Sequence, residues 1–235
     1  MKDATGLNAI VADLQMAFGD KIRPLNGRRP NEVYLETRRE SIAAIAARLY
    51  KLHKIRLAMM FCIDRCQEEG VFYLQYAFAC DRAGGFILIR TPVPATDPEF
   101  PSLTPVIPAV NWQEREIQDW FGLTAAGHPN PRRVALHDDF PDKVYPLRKD
   151  FDLFSKPQPL RGPRHLFRPV EGEGVFQVPV GPIHAGIIEP GHFRFSVAGE
   201  PVLYLQIRLF YTHKATEKLF EHKPLSQAVF LAESI

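Results

Sequence analysis

Three apolar runs in close succession constrain this chain more than any other feature. "RLAMMFCI" (56–63), "VFYLQYAFA" (71–79) and "FILIRT" (86–91) are each strand-length and rich in aromatic or branched side chains. "DRAGG" (81–85) lies between the last two and has turn chemistry, so that pair reads as a hairpin. The first run is almost continuously apolar, like a strand buried on both faces. Upstream, Leu7, Ile10, Val11, Leu14 and Phe18 recur at helical spacing, and Gly19 can stop the turn. "NEVYLET" (31–37) reads as a strand. Thr37 and Glu40 then have capping-box spacing ahead of a helix with Ile42, Ile45, Ala46 and Leu49 on its stripe. Helix, strand, helix and three strands predict an α+β fold, with helices packed on one face of a mainly antiparallel sheet.

Proline punctuates the next stretch. "TPVPATDPEFPSLTPVIP" (91–108) is a connector in which a long regular element is not expected, because proline fixes φ and donates no amide. "NWQEREIQDWFGL" (111–123) then reads as a short helix. Asn111 stands at the cap, Glu114 three residues on is placed to bond back, and Gly122 suits the stop. Ile117, Trp120 and Phe121 share one face. The charges Glu114, Arg115, Glu116 and Asp119 are expected at or near the exposed side. They form either a proton-handling cluster or a salt-bridged docking face, and mixed charge on a short helix is more often the latter.

Residues 152–174 are rich in proline, glycine and arginine and have no period, which is the composition of a tether. Arg161, Arg164, His165 and Arg168 could touch phosphates. The aromatic partners of a nucleic-acid platform are incomplete, so a basic tether is the better reading. A second unit follows. "GVFQVPVGP" (174–182), "HFRFSV" (192–197) and "VLYLQIRLFY" (202–211) read as strands, "ATEKLFEH" (215–222) as a helix, and Pro224 opens another helix. The chain stops inside that helix, which reads as a fragment or as a protein completed by another chain. The expected domains are 1–151, a linker at 152–174, and an incomplete unit at 175–235.

A formal charge of +2 is too mild to imply a nucleic-acid partner. No apolar run reaches the roughly 18 residues of a membrane span. The start carries Asp3 and Asp13 and has no apolar signal-peptide core, so the expected compartment is the cytoplasm. Cys62 and Cys66 form a C-x-x-x-C pair with no nearby histidine or further cysteine, which is a poor metal site, and all three cysteines, Cys80 included, are read as structural thiols.

Four stretches point to one family. "EREIQDWFGL", "GHPNPRR" (127–133), "HDD" (137–139) and "PLRKDF" (146–151) resemble, in order and spacing, the 30 kDa-type subunit of respiratory complex I, the C-type subunit of bacterial NADH dehydrogenase. "VGPIHAGIIEPGHFRFSVAGE" (180–200) and "RLFYTHKATEKLFE" (208–221) resemble the start of the 49 kDa-type, or D-type, subunit. They resemble still more the large subunit of group 4 membrane-bound [NiFe] hydrogenases of the formate hydrogenlyase and hydrogenase-4 kind, where the two units are fused in this order.

The resemblance implies a soluble-arm structural or docking subunit, or a fragment of one, in a membrane-bound oxidoreductase complex that couples electron transfer to ion translocation. It implies an iron–sulphur small subunit, membrane-arm subunits and the remainder of the large subunit as partners. It places the chain on the inner face of the cell membrane, with iron–sulphur clusters and a quinone in the parent complex and no cofactor bound by this chain alone. It also implies an interface between the C-type and D-type units made by Glu114, Arg115, Glu116 and Asp119 with Arg148, Lys149 and Asp150. His184 matches the first of two loop histidines of the quinone pocket, and either lines a cavity or bonds its own loop. The second histidine position falls near Pro190, which has no side-chain donor. Glu217 matches a family glutamate, either a proton relay or an exposed helix glutamate. Nickel–iron is not expected, because Ser234 stands where the metal motif has arginine and no cysteine lies in a matching position. The alternative function is a freestanding assembly or interaction protein with no redox role.

Overall fold

The computed structural model describes residues 4–27, 29–160 and 167–234. The chain forms two compact units. One comprises residues 1–132 with 148–150, the other 133–147 with 151–235. Arg161, Arg164 and His165 of the expected basic tether lie outside the described residues.

The first unit is built on five strands: β1 (Ile22–Leu25), β2 (Glu32–Thr37), β3 (Arg56–Arg65), β4 (Val71–Cys80) and β5 (Gly85–Pro94). They form one sheet in the order β1-β2-β5-β4-β3. Every pairing is antiparallel except β2 with β5. The helices are α1 (Ala4–Phe18), α2 (Arg39–Ala47), the single turn α3 (Cys66–Glu69) and α4 (Asn111–Phe121). The mixed α+β class and the mainly antiparallel sheet are as the sequence predicts.

The core comes from alternate strand positions. Phe72, Leu74, Tyr76 and Phe78 of β4 and Ile87, Ile89 and Val93 of β5 are buried, with Leu14 of α1 and Ile42, Ile45 and Ala46 of α2. Period two in the strands and near 3.6 in the helices brings these side chains together. The run at 56–63 is not buried on both faces: Met60 and Cys62 are buried, whereas Met59, Phe61 and Ile63 are exposed. The strand lies at the sheet edge and keeps one covered face. Pro92 and Pro94 extend β5 past Arg90, the last residue paired to β2. No neighbour on that side needs their amides, so proline is tolerated there.

Side-chain ion pairs fasten the helices. Arg48 grips Asp13 through two bonds of 2.6 Å, and His53 Nε2 reaches the same carboxylate at 2.7 Å. The Arg48 and His53 bonds hold the Asp13 carboxyl well below the usual carboxylate range. Neither expected capping box forms. Thr37 Oγ1 donates to Lys21 O, and α2 and α4 start with no side-chain cap bond.

The second unit carries the strands β8 (Val175–Val180), β9 (His192–Ala198) and β10 (Val202–Arg208), which form an antiparallel sheet in the order β10-β9-β8. The helices α5 (Thr216–Phe220) and α6 (Leu225–Ala232) come next. Residues 133–147 of the same unit are tied to the end of β10. His137 Nε2 donates to Leu209 O at 3.0 Å and Arg208 pairs with Asp138 at 2.9 Å.

Candidate functional site

The helix α4 is amphipathic, and its inner stripe includes a carboxylate. Ile117, Trp120 and Phe121 are buried as expected, which is worth about 1.5–3 kcal/mol for each large apolar side chain. Glu114 is on the same stripe and is 0% exposed. Its Oε2 accepts from Ser102 Oγ and Thr104 Oγ1, each at 2.6 Å, and its Oε1 accepts from Leu103 N at 2.5 Å. Three converging donors, one of them a backbone amide, complement a carboxylate. Glu114 therefore does not face outward. It fastens the proline-rich connector to the helix, where proline has left few amides for the backbone to use. Asp119 is also buried, while Arg115 and Glu116 are half-buried.

A parallel strand pair reinforces this connection. The strand β6 (Glu99–Pro101), inside the connector, pairs with β7 (Thr124–Ala126), just past α4. Gly122, with φ of 74°, ends the helix and turns the chain into β7.

The turn after β7 closes over the start of the helix. His128 is buried, and its Nδ1 accepts from Asn130 N at 2.9 Å. Its proton is therefore on Nε2, which donates to Asn111 O at 3.2 Å and lies 3.7 Å from Glu114 Oε2. On the outer side, Arg115 Nε donates to Arg132 O at 2.6 Å and Gln118 Nε2 to Pro131 O at 2.8 Å. Burial, and then the neighbouring Arg132 charge, lower the Arg115 guanidinium from its ordinary value; Asp119 opposes them.

Residues 148–150 join the same assembly. Arg148 Nε donates to Phe121 O at 2.7 Å, and its guanidinium lies 5.2 Å from the centre of the Phe72 ring. Lys149 N donates to Asp64 Oδ2 at 2.8 Å, and Cys66 N to Asp64 Oδ1 at 2.8 Å. Burial alone would raise the Asp64 carboxyl. The amides of Lys149 and Cys66, the Cys66 thiol and the Arg148 charge outweigh it and hold Asp64 below its ordinary value. The structure thus brings Glu114, Arg115, Glu116, Asp119 and Arg148 to one region. Lys149 and Asp150 are exposed at its rim.

Asp64, Ser102 and Thr104 are members of this region that sequence reasoning missed. Their signal was weak: single polar residues within an apolar strand or a proline-rich stretch.

The second unit holds His184 and Glu217. His184 Nε2 donates to Gly191 O at 2.7 Å and His192 Nδ1 to Gly181 O at 3.3 Å, so two histidines lace the base of the 181–191 loop. Gly181 has φ of 81°, and a Cβ there would collide with Gly191 O. Of the two roles open for His184, the loop bond is formed. Glu217 is exposed on α5, 3.4 Å from His213. The His213 hydrogen bond lowers its carboxyl from the ordinary value.

Among the described residues no three His, Cys, Asp or Glu side chains are grouped so as to hold a metal ion. The three cysteines are free, and Cys62 and Cys80 are buried in the first unit. These residues do not fit a nickel–iron centre, which needs four thiolates around one metal. No helix among the described residues is long and apolar enough to cross a membrane. A cleft of 450 Å³ in the first unit is lined in part by Ile10, His53, Lys54, Cys80 and Asp81, and its described lining includes none of the expected site residues.

Similarity to known proteins extends across both units. The chain is 35% identical to hydrogenase-4 component G of Escherichia coli (strain K12), over 97% of this chain and 42% of that protein. It is 36% identical to formate hydrogenlyase subunit 5 of the same organism, over 76% of this chain and 32% of that protein. The fused C/D subunit of NADH-quinone oxidoreductase from Phocaeicola vulgatus is 28% identical over 72% of this chain and 35% of its own length. The chain thus spans well under half the length of these relatives. A chain of the membrane-bound sulfane sulfur reductase, an archaeal respiratory membrane complex, shares the fold. Its TM-score is 0.54 at 21% identity, over 63% of this chain and 87% of that chain. Residues 35–157, which contain α4, the His128 turn and Arg148, match the model of the respiratory-chain NADH dehydrogenase 30 kDa subunit. The chain belongs to that family.

Proposed function

We propose that this chain is a docking piece of the soluble arm of a membrane-bound oxidoreductase complex, in which electron transfer is coupled to ion translocation. The first unit scaffolds and docks. Residues 175–235 form part of a 49 kDa-type or hydrogenase-type large subunit. The partners are an iron–sulphur small subunit, membrane-arm subunits and the remaining large-subunit polypeptide. The chain sits on the cytoplasmic face of the membrane through those contacts, and the iron–sulphur clusters and quinone belong to the assembled complex.

One observation carries this reading. Glu114, His128 and Arg148 each hold a backbone group, and Glu114 also holds the Ser102 and Thr104 hydroxyls, which makes the region a preorganised shelf. The half-buried Arg115 and Glu116 and the exposed Lys149 and Asp150 lie along it. Charged groups on a preorganised shelf set register and partner choice more than they add affinity. The similarity to hydrogenase-4 component G across both units points the same way.

The test is native electrophoresis of gently solubilised membranes from cells making the tagged chain. The tag should migrate far above the 26.7 kDa of the chain, in a band that carries iron–sulphur signals. Migration at the mass of the free chain would contradict the proposal. A large band with an unrelated partner and no iron would favour the freestanding assembly protein.

A further inference from the structure

The sheet of the second unit has two faces of opposite character. On one face, register places Gln177, Ser196 and Tyr204 side by side, next to Pro179, Arg194 and Gln206. The unit's own chain lies against that face. Arg168 N donates to Gln206 Oε1 at 2.7 Å, the Arg168 guanidinium lies over the Tyr204 ring, and Arg194 lies 4.6 Å from the centre of the Phe167 ring.

The other face carries the cross-strand rows Val178–Phe195–Leu205 and Val180–Phe193–Ile207, with no polar side chain in either. Val178, Val180, Leu205 and Ile207 are exposed, Ile207 at 48%. Two other parts of the unit also leave apolar side chains uncovered. Ile187 in the 181–191 loop is 100% exposed, and α6 buries no residue while presenting Leu225 and Phe230. The two rows form one apolar surface on the sheet with no polar member, and exposed apolar surface gathered in this way suits an interaction site.

The dimensions and chemistry decide among occupants. Three strands about 4.8 Å apart and six or seven residues long offer a patch of about 10 by 20 Å. That is well short of the roughly 800 Å² per partner of a standard interface, so a second copy seated on this patch alone would be weak. Rows of only Val, Leu, Ile and Phe give nothing to a charged partner. An apolar polypeptide that also reaches the loop isoleucine and α6 meets both conditions. The relatives carry such a length of chain, since the matched region is only 42% of hydrogenase-4 component G and 32% of formate hydrogenlyase subunit 5.

We propose that the Val178–Phe195–Leu205 face is the seat of the part of the large-subunit polypeptide that these relatives carry beyond the matched region. The inference rests on the docking function proposed above and adds the surface that does it. The 235-residue chain is co-expressed with a tagged copy of the unmatched part of Escherichia coli hydrogenase-4 component G. The wild-type chain should be retained in equimolar amount. Leu205→Asp should lower retention roughly tenfold or more, because a charge would be buried without a partner. Leu205→Ser, a milder change checked for native circular dichroism, should lower it as well. Tyr204→Phe on the opposite face should not.

Equal retention of wild type and both Leu205 variants would overturn the inference and leave the docking function standing. So would loss of retention accompanied by self-association that Leu205→Asp abolishes, since the occupant would then be a second copy. If wild type is not retained, the inference fails; if the native membrane complex is also absent, the docking function fails with it.

Discussion

Glu114 Oε2 accepts a hydrogen bond from Ser102 Oγ at 2.6 Å inside the first unit, joining the helix to the proline-rich connector twelve residues earlier. The connector needs this bond because proline removes the amides that would otherwise tie it to its neighbours. Replacing Glu114 by alanine strands Ser102, Thr104 and the Leu103 amide in a buried site. Leaving hydrogen-bonding groups buried without their charged partner costs about 3–5 kcal/mol. Glutamine keeps one acceptor, and its cost should be about 1–3 kcal/mol. Both tryptophans, Trp112 and Trp120, lie in α4, so urea unfolding followed by tryptophan fluorescence reports on this unit.

Asp64 predicts a pH dependence. Its carboxyl is held below its ordinary value of 3.8, so folding binds it in the ionised form. The stability it contributes is fully present above the ordinary value and is lost as pH falls through the depressed folded value. Fluorescence-monitored stability of wild type should therefore fall more steeply below about pH 4 than that of Asp64→Asn. Near neutral pH the variant should already be less stable by about 1–3 kcal/mol, because asparagine accepts through only one oxygen. Parallel acid limbs for the two proteins would refute this role.

The sequence disclosed the parts of this region but not their directions. The hairpin at 81–85, the three long strands and α4 were legible because their periods and turn residues are local. The inward position of Glu114 was available in principle: residues 114, 117 and 121 lie three and four apart, on one stripe. Chemical type pulled the reading outward, and only the donors at 102–104 explain why burial is tolerated. The parallel pairing of β2 with β5 had no local signal, since β5 lies about 50 residues on and is placed by the sheet as a whole. The role of Arg148 was hidden for the same reason. Its carbonyl partner at Phe121 is 27 residues away.

The cysteines should be inert in the folded chain. Burial, and then the Asp64 hydrogen bond, push the Cys66 thiol up to about 12. Burial pushes Cys80 up to about 11 and raises Cys62 well above its ordinary value. Thiolate is the reactive form, so a colorimetric thiol reagent at about pH 8 should titrate essentially none of the three before denaturation and all three after it. Rapid native labelling would show that β3 and the turn after it open readily.

Gly181 should not accept a side chain. Gly181→Ala places a methyl group against Gly191 O and His184 at a positive φ. Such strain typically costs roughly 1–3 kcal/mol. Hydrogen exchange of the 181–191 segment should accelerate, while α4 and the β4–β5 pair keep their protection. Unchanged exchange in the loop would show that the two histidine bonds do not hold its base.

The most direct test of the docking function is the composition of what binds the chain in its own cells. Affinity purification of the tagged chain from mildly solubilised membranes, followed by mass spectrometry, should recover an iron–sulphur small subunit and membrane-arm subunits in near-constant ratio to the tag. Asp150→Lys, which reverses an exposed charge at the rim of the docking shelf, should reduce that yield while native circular dichroism stays unchanged. Recovery of the tagged chain alone, or with a soluble partner unrelated to electron transfer, would contradict the account.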